Sequence, residues 1–199
     1  MISVAPIVEG HGEVSALRIL LVRIWTQLLR RSHLDVLQPI RQPRSKLVQD
    51  EELLKAVDLA SLKLGARASD GPSRILLVLD ADDDPPCKLG PKLVRTVSRE
   101  RRHLAFSTVV AQVEYETWFV AAADSLTDFL DVPLEAPEVR DPEAARCRKA
   151  WIMKHFRRGR YSETVDQPRM TAAMDLSLCR SRSPSFDKLC RELEKLPDR

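Results

Sequence analysis

Residues 75–79, Ile-Leu-Leu-Val-Leu, form an unbroken apolar run that stops abruptly in Asp80-Ala81-Asp82-Asp83-Asp84. No other feature constrains the fold as tightly. A strand with one wet face alternates apolar and polar residues. A strand without alternation has both faces covered, as in the middle of a parallel sheet. Parallel neighbours need crossover connections, usually helical. The sequence supplies them.

Residues 2–8 are a second short apolar run, rich in β-branched residues, ending in Glu9-Gly10-His11-Gly12. From Glu13 to residue 31, Leu17, Leu20, Leu21, Ile24, Trp25, Leu28 and Leu29 recur at spacings of three and four, which predicts an amphipathic helix. Residues 34–40 read as a strand stopped by Pro39 and Pro43. Residues 46–64 read as a helix with a stripe of Leu47, Leu53, Leu54, Val57 and Leu62, closed by Gly65. A polar turn from Ser69 to Ser73 leads into the central run. A third helix is expected over 89–103, a fourth strand over 106–113, and a short helix through Ala123.

The alternation predicts an α/β fold in three layers, with a central, mainly parallel, four-stranded sheet and right-handed connections. Residues 130–142, rich in Pro and acids, read as an exposed connection. Helices are expected over 142–156, 170–178 and 186–196. The division is therefore a core at 1–129 and a helical C-terminal extension at 130–199 packed on it.

In open parallel sheets, ligands bind beyond the carboxyl ends of the strands. Three strands deliver acids there: Glu9, then Asp80 and Asp82 with Asp84 just beyond, then Glu114 and Glu116. One acid at a strand end can simply cap the next helix. Clustered acids repel unless a cation sits among them. Oxygen donors without paired His or Cys suit Mg²⁺ or Mn²⁺ better than zinc. On an extended strand end Asp80 and Asp82 would point the same way. Glu13, four residues after Glu9 and on the first helical turn, can still face the strand end. Gly10 and Gly12 allow tight turning and close approach of a phosphate.

These segments carry a resemblance. A hydrophobic strand ending in Glu-Gly, followed by a strand ending in Asp-x-Asp, resembles the Toprim signature of topoisomerases, primases and OLD-family nucleases. Pro6-Ile7-Val8-Glu9-Gly10-His11-Gly12-Glu13, Leu77-Val78-Leu79-Asp80-Ala81-Asp82-Asp83-Asp84, Glu114-Tyr115-Glu116-Thr117-Trp118-Phe119, Asp166-Gln167-Pro168 and Arg182-Ser183-Pro184-Ser185-Phe186-Asp187 together resemble the Toprim-related domain-of-unknown-function 4276 family. The resemblance implies a Toprim/Rossmann-like core and metal-dependent phosphodiester chemistry. Glu9 would manage a proton or bind metal. Asp80 and Asp82 would be the metal pair. Glu13 would match the second acid of an OLD-type, two-metal pattern. The implied partners are nucleic acid, DNA before RNA, and a separate ATPase, since the chain has no Walker A sequence. A homodimer stays open.

Other residues carry two readings each. His11 is a phosphate contact or general acid, or an idle turn residue. Glu114 and Glu116, sharing a face if on a strand, extend the acidic site or bind a basic residue from the C-terminal part. Trp118 and Phe119 read as core. Arg41 and Arg44 steer phosphate or lie in a solvated loop. Lys149, Lys154, His155, Arg157, Arg158 and Arg160 track a nucleic-acid backbone or form a charged helix face. Asp166, Gln167 and Arg169 carry no mechanism from sequence. The net charge of +3 does not by itself argue for nucleic acid.

Four cysteines, Cys87, Cys147, Cys179 and Cys190, form no CxxC pair and read as reduced thiols. The sequence has no basic leader with a cleavage site and no apolar stretch of membrane-spanning length, so a cytoplasmic protein is expected. The first functional reading is a nuclease. The alternative is a non-catalytic or partner-activated subunit working with an ATPase. Nucleotidyl transfer ranks third, for want of a further Gly-rich phosphate loop.

Overall fold

A computed structural model describes residues 2–66, 71–133, 136–144, 148–157 and 159–197. Ser69 of the expected turn, Cys147 and Arg158 fall outside them.

In chain order, β1 (Ser3–Val8) leads into α1 (His11–Arg23), then β2 (Asp35–Val36) and β3 (Ile40–Arg41). Helices α2 (Arg44–Leu47) and α3 (Asp50–Gly65) precede β4 (Ser73–Asp80), α4 (Pro86–Glu100) and β5 (Phe106–Ala111). Among the described residues, six α-helices and one 3₁₀ turn follow: α5 (Thr117–Ala121), the 3₁₀ turn, then α6 (Pro137–Arg140), α7 (Arg148–His155), α8 (Glu163–Ala173), α9 (Leu176–Arg182) and α10 (Pro184–Glu194).

The sheet runs β2-β1-β4-β5, with β3 also beside β1, and every pairing is parallel. The expected strand at 34–40 is thus two short strands on one edge. Pro39 lacks the N–H that would continue the ladder. Val36 pairs with Val4, and pairing resumes at Ile40 with Ile7.

Strand alternation sorts the core into two layers. Val4, Val8, Leu76 and Val78 face a cluster with Leu17, Leu20 and Leu21 of α1, and with Trp118, Phe119, Met170 and Phe186. Ala5, Ile7, Ile75, Leu77 and Leu79 face the other, with Leu53 and Val57 of α3 and Leu93 and Val97 of α4. The C-terminal helices therefore share the first cluster with β1 and α1. Each fully buried Leu contributes about 1.5–3 kcal/mol.

Several boundaries differ from the sequence reading. Helix α1 begins at His11, which puts Glu13 inside its first turn, and it continues as a π-helical turn over Ile24–Leu28. The stripe of α3 uses Ala56 and Ala60 rather than Leu62, which is 72% exposed. Two positions past Ala60 is about 200° around the helix, the far side. Residues 130–142 include α6 and a bridge between Leu130 and Phe156. The expected single piece at 170–178 is two helices, α8 and α9. Pro168 lies inside α8, where it hides the helix from sequence, yet packing on α1 holds the helix through it. Cys179 and Cys190 are buried free thiols, and Cys87 is an exposed one. No helix among the described residues is long and apolar enough to cross a membrane.

Candidate metal centre at the carboxyl edge of the sheet

Strands β1 and β4 are neighbours in register, so their ends bring Glu9 and Asp80 together. Glu13 joins them from the first turn of α1. One oxygen from each of Glu9, Glu13 and Asp80 lies within 4.8 Å of the other two. The chain holds this geometry with backbone donors. The Glu9 N–H donates to Glu13 Oε2 at 3.3 Å, and the Asp80 N–H donates to Glu9 Oε2 at 3.4 Å. Gly10 leaves room for this arrangement, because a Cβ on it would sit 2.9 Å from Glu13 Oε1 and displace that carboxylate. Gly12 serves a different approach. A Cβ there would lie 2.5 Å from the Glu163 carbonyl and closer still to the Gln167 amide oxygen. The space beside both glycines is therefore filled by Glu13 and α8.

The electrostatics are those of crowded acids. Burial pushes Glu13 up to about 8, and the Glu9 charge adds to it. Burial pushes Glu9 up to about 7, partly opposed by the Asp80 N–H, with Asp82 raising it and Arg44 and Lys149 lowering it. Burial, then Glu13 and Glu9, raise Asp80 well above the usual carboxylate range. Glu116 is raised by burial, against the pull of Lys149 and the Tyr161 hydrogen bond. Hard oxygen donors that close, each costly to ionise alone, match a small divalent cation.

Asp82 does not extend this trio as the alternation of a strand would have it. The strand stops at Asp80, and Asp82 turns into the left-handed region at φ 50°. Its side chain, 56% exposed, lies 3.3 Å from the Arg44 guanidinium. Arg44 also holds Asp84 at 2.5 Å and donates to the carbonyls of Asp80 and Ala81. Arg44 thus clamps the loop after β4. Arg41 and His11 are exposed, at the end of β3 and the start of α1.

Glu114 and Glu116 do not share a strand face either. Strand β5 ends at Ala111, Val113 has φ 65°, and Glu116 is helical at the start of α5. Glu114 accepts from the Lys149 N–H at 2.7 Å, and Glu116 accepts from the Tyr161 hydroxyl at 2.9 Å. The Lys149 ammonium pairs with Glu163 at 2.5 Å. Against the burial that would lower it, that hydrogen bond and the charges of Glu116 and Glu114 raise Lys149 above the ordinary ammonium value. Lys149 is therefore a counter-charge within the acidic cluster. Arg157 is pinned elsewhere, to the Leu130 carbonyl and Asp131. Sequence reasoning missed Tyr161 and Glu163. Neither stands near a strand end, and only the packing of α8 on α1 brings them in.

Two motif segments of unassigned role turn out to be fasteners. Asp166 accepts from the Ser162 N–H, and Ser183 caps α10 by accepting from the Phe186 N–H. Trp118 and Phe119 are fully buried, as expected of core residues.

No curated protein sequence and no solved structure matches the chain. A family model does, over residues 8–194, a span that takes in Glu9, Glu13, Asp80, Glu116 and Lys149. The chain belongs to that family, the domain of unknown function DUF4276.

Proposed function

We propose that the chain is a divalent-metal-dependent phosphodiesterase of Toprim type, hydrolysing nucleic acid. The observation that carries the reading is the trio of Glu9, Glu13 and Asp80, whose oxygens approach within 4.8 Å at the carboxyl edge of a parallel sheet. These residues would hold Mg²⁺ or Mn²⁺. A cation so held supplies Lewis acidity toward a phosphoryl oxygen and makes a water easier to deprotonate. Glu9, less buried than Glu13, would take that proton. Lys149 offsets the surplus negative charge that would otherwise repel a phosphate. Tyr161 fixes Glu116 through its hydroxyl.

The test is Mn²⁺ titration by calorimetry, together with incubation of single-stranded and plasmid DNA with Mg²⁺, Mn²⁺ or chelator. Metal-dependent cleavage that disappears in Asp80→Asn and Glu13→Gln is expected. A wild-type chain that binds no Mn²⁺ would remove the basis of the proposal.

The Arg44 clamp favours a second reading, a subunit switched on by a partner such as a separate ATPase. With Asp82 and Asp84 held by Arg44, three carboxylates meet among the described residues. A partner that drew Arg44 away would release Asp82 toward the cluster. Cleavage that appears only when an ATPase partner is added supports this version.

A further inference from the structure

A slot of about 520 Å³ opens along the outer edge of β5, between α4 and α10. Pro86, Pro91 and Val94 make one wall apolar, and Ser185 and Lys188 stand opposite. The floor is polar where it need not be. Thr108 is only 5% exposed, yet its hydroxyl makes no hydrogen bond among the described residues. Its backbone is also free on this side. The Ile75 N–H bonds the Ala105 carbonyl and the Ala81 N–H bonds that of Ala111, so the odd-numbered residues of β5 face β4. Alternation then turns the N–H and C=O of Thr108 and Val110 outward along the slot. The Gln112 side chain, at the end of the same floor, makes no hydrogen bond among the described residues.

Buried polar groups are nearly always satisfied, and exceptions call for a reason. An apolar slot with a few converging donors and acceptors, and a volume in the range of known ligand pockets, is built for a small ligand. The floor presents donor, acceptor, hydroxyl and amide in a short row, which a neutral planar heterocycle matches edge-on. A strand from another protein fits less well. The Gln112 carbonyl is already taken by the Glu114 N–H and the Thr117 hydroxyl. Among the described residues that line the slot, the β5 backbone groups left facing outward are those of Thr108 and Val110, short of an ordinary strand. Position adds the rest. Gln112 lies two residues before Glu114, and Pro86 lies two residues after Asp84. The loops that leave the carboxyl ends of β4 and β5 therefore both border the slot.

We infer that this slot takes one unstacked nucleobase of a single-stranded nucleic acid, an inference that rests on the phosphodiesterase reading of the neighbouring acids. A base seated over Thr108 and Gln112 leaves its backbone on the side of the acid-bearing loops. A paired and stacked base cannot reach the floor, so the substrate is single-stranded or frayed. The slot then selects the strand, while the acids act on it.

The full chain, in chelator, is titrated with deoxyadenosine, deoxycytidine, deoxyguanosine and thymidine by ligand-observed NMR. These probes carry no phosphate for the acids to repel. Saturable binding with a rank order among the four is expected. Thr108→Val keeps the shape, removes the hydroxyl, and weakens binding about threefold to tenfold. Gln112→Glu exchanges an amide donor for an acceptor and reorders the four nucleosides, an outcome that mere loss of structure does not produce. No nucleoside binding, or an unchanged rank in both variants, overturns the inference. So does a dimer in sedimentation that dissociates on Val94→Glu, because a second copy then fills the slot. A separate Mn²⁺ titration of the wild-type chain reports on the acids, so failure of one idea is distinguishable from failure of the other.

Discussion

Glu13 concentrates the electrical cost of the site. It is 4% exposed, faces the charges of Glu9 and Glu116, and is held by backbone N–H groups of Glu9 and Gly10. Its ionisation is unfavourable without a cation. Glu13→Gln, which keeps the shape and removes the charge, is expected to raise the thermal midpoint of metal-free protein at pH 8 by about 2–4 °C. The same variant loses Mn²⁺ binding by calorimetry. A fall in both would make Glu13 a purely structural residue. Arg44 gives the opposite trade. Arg44→Met removes the side-chain donor from the Asp80 carbonyl and leaves the Ala81 carbonyl with the Asp84 N–H alone, and urea unfolding is expected to show a loss of about 1–3 kcal/mol. If the clamp restrains the site, Mn²⁺ affinity rises in that variant as Asp82 comes free. Glu9 and Asp80 were legible in the sequence because strand ends announce themselves as an apolar run followed by an acid. Glu13 followed from its spacing after Glu9. Lys149 was read as a nucleic-acid contact or part of a charged helix face, and its place beside Glu114 and Glu163 was not legible, since nothing local distinguishes a lysine facing carboxylates from one facing water.

At the scale of elements, the contact that matters most is α1 against α8. At Gly12 the helices approach tightly, with the Glu163 backbone and the Gln167 side chain over its Cα. Gly12→Ala must push α8 away or tilt α1, and overpacking of this kind costs about 1–3 kcal/mol. The shift also moves Glu13, one residue on. Thermal melting and Mn²⁺ titration should therefore both suffer, whereas Gly65→Ala, with open space around it, should leave metal binding intact. The strands and the three long crossover helices were readable because each repeats its apolar period over several turns or residues. Helix α8 was not, because Pro168 sits inside it and its buried face includes Asp166, Gln167 and Thr171 rather than an apolar stripe. Its place is decided by α1 rather than by its own periodicity.

For the molecule as a whole, the raised carboxyls tie stability to pH. Glu9 at about 7 and Glu13 at about 8 both stand above the ordinary glutamate value of 4.5. Between these limits the folded chain holds more protons than the unfolded chain, so stability falls as pH rises. Their contribution is complete below about pH 4.5 and is lost as pH climbs through 7 and 8. Metal-free protein is therefore expected to melt lower at pH 8.5 than at pH 6, and Mn²⁺ should reverse the loss at pH 8.5, since a ligand bound only by the folded state stabilises it. Calorimetric scans at the two pH values, with and without Mn²⁺, check this directly. Equal midpoints in chelator would mean the acids ionise without penalty. The layered sheet was legible at this scale from one unbroken apolar run, and a C-terminal extension packed on the core was expected, while the face of the sheet that its helices join was not legible, because the contacting residues lie far apart along the chain.

Lys149 and Tyr161 reach Glu114 and Glu116 from a stretch of chain made well after them. A nascent polypeptide halted after β5 and α5 has already made Glu9, Glu13, Asp80 and both later glutamates, but of the side-chain cations that quiet them it has only Arg44. Synthesis from the N-terminus thus leaves a mutually repelling knot of acids until the last third emerges, and that late arrival, rather than the sheet, completes a tolerable centre.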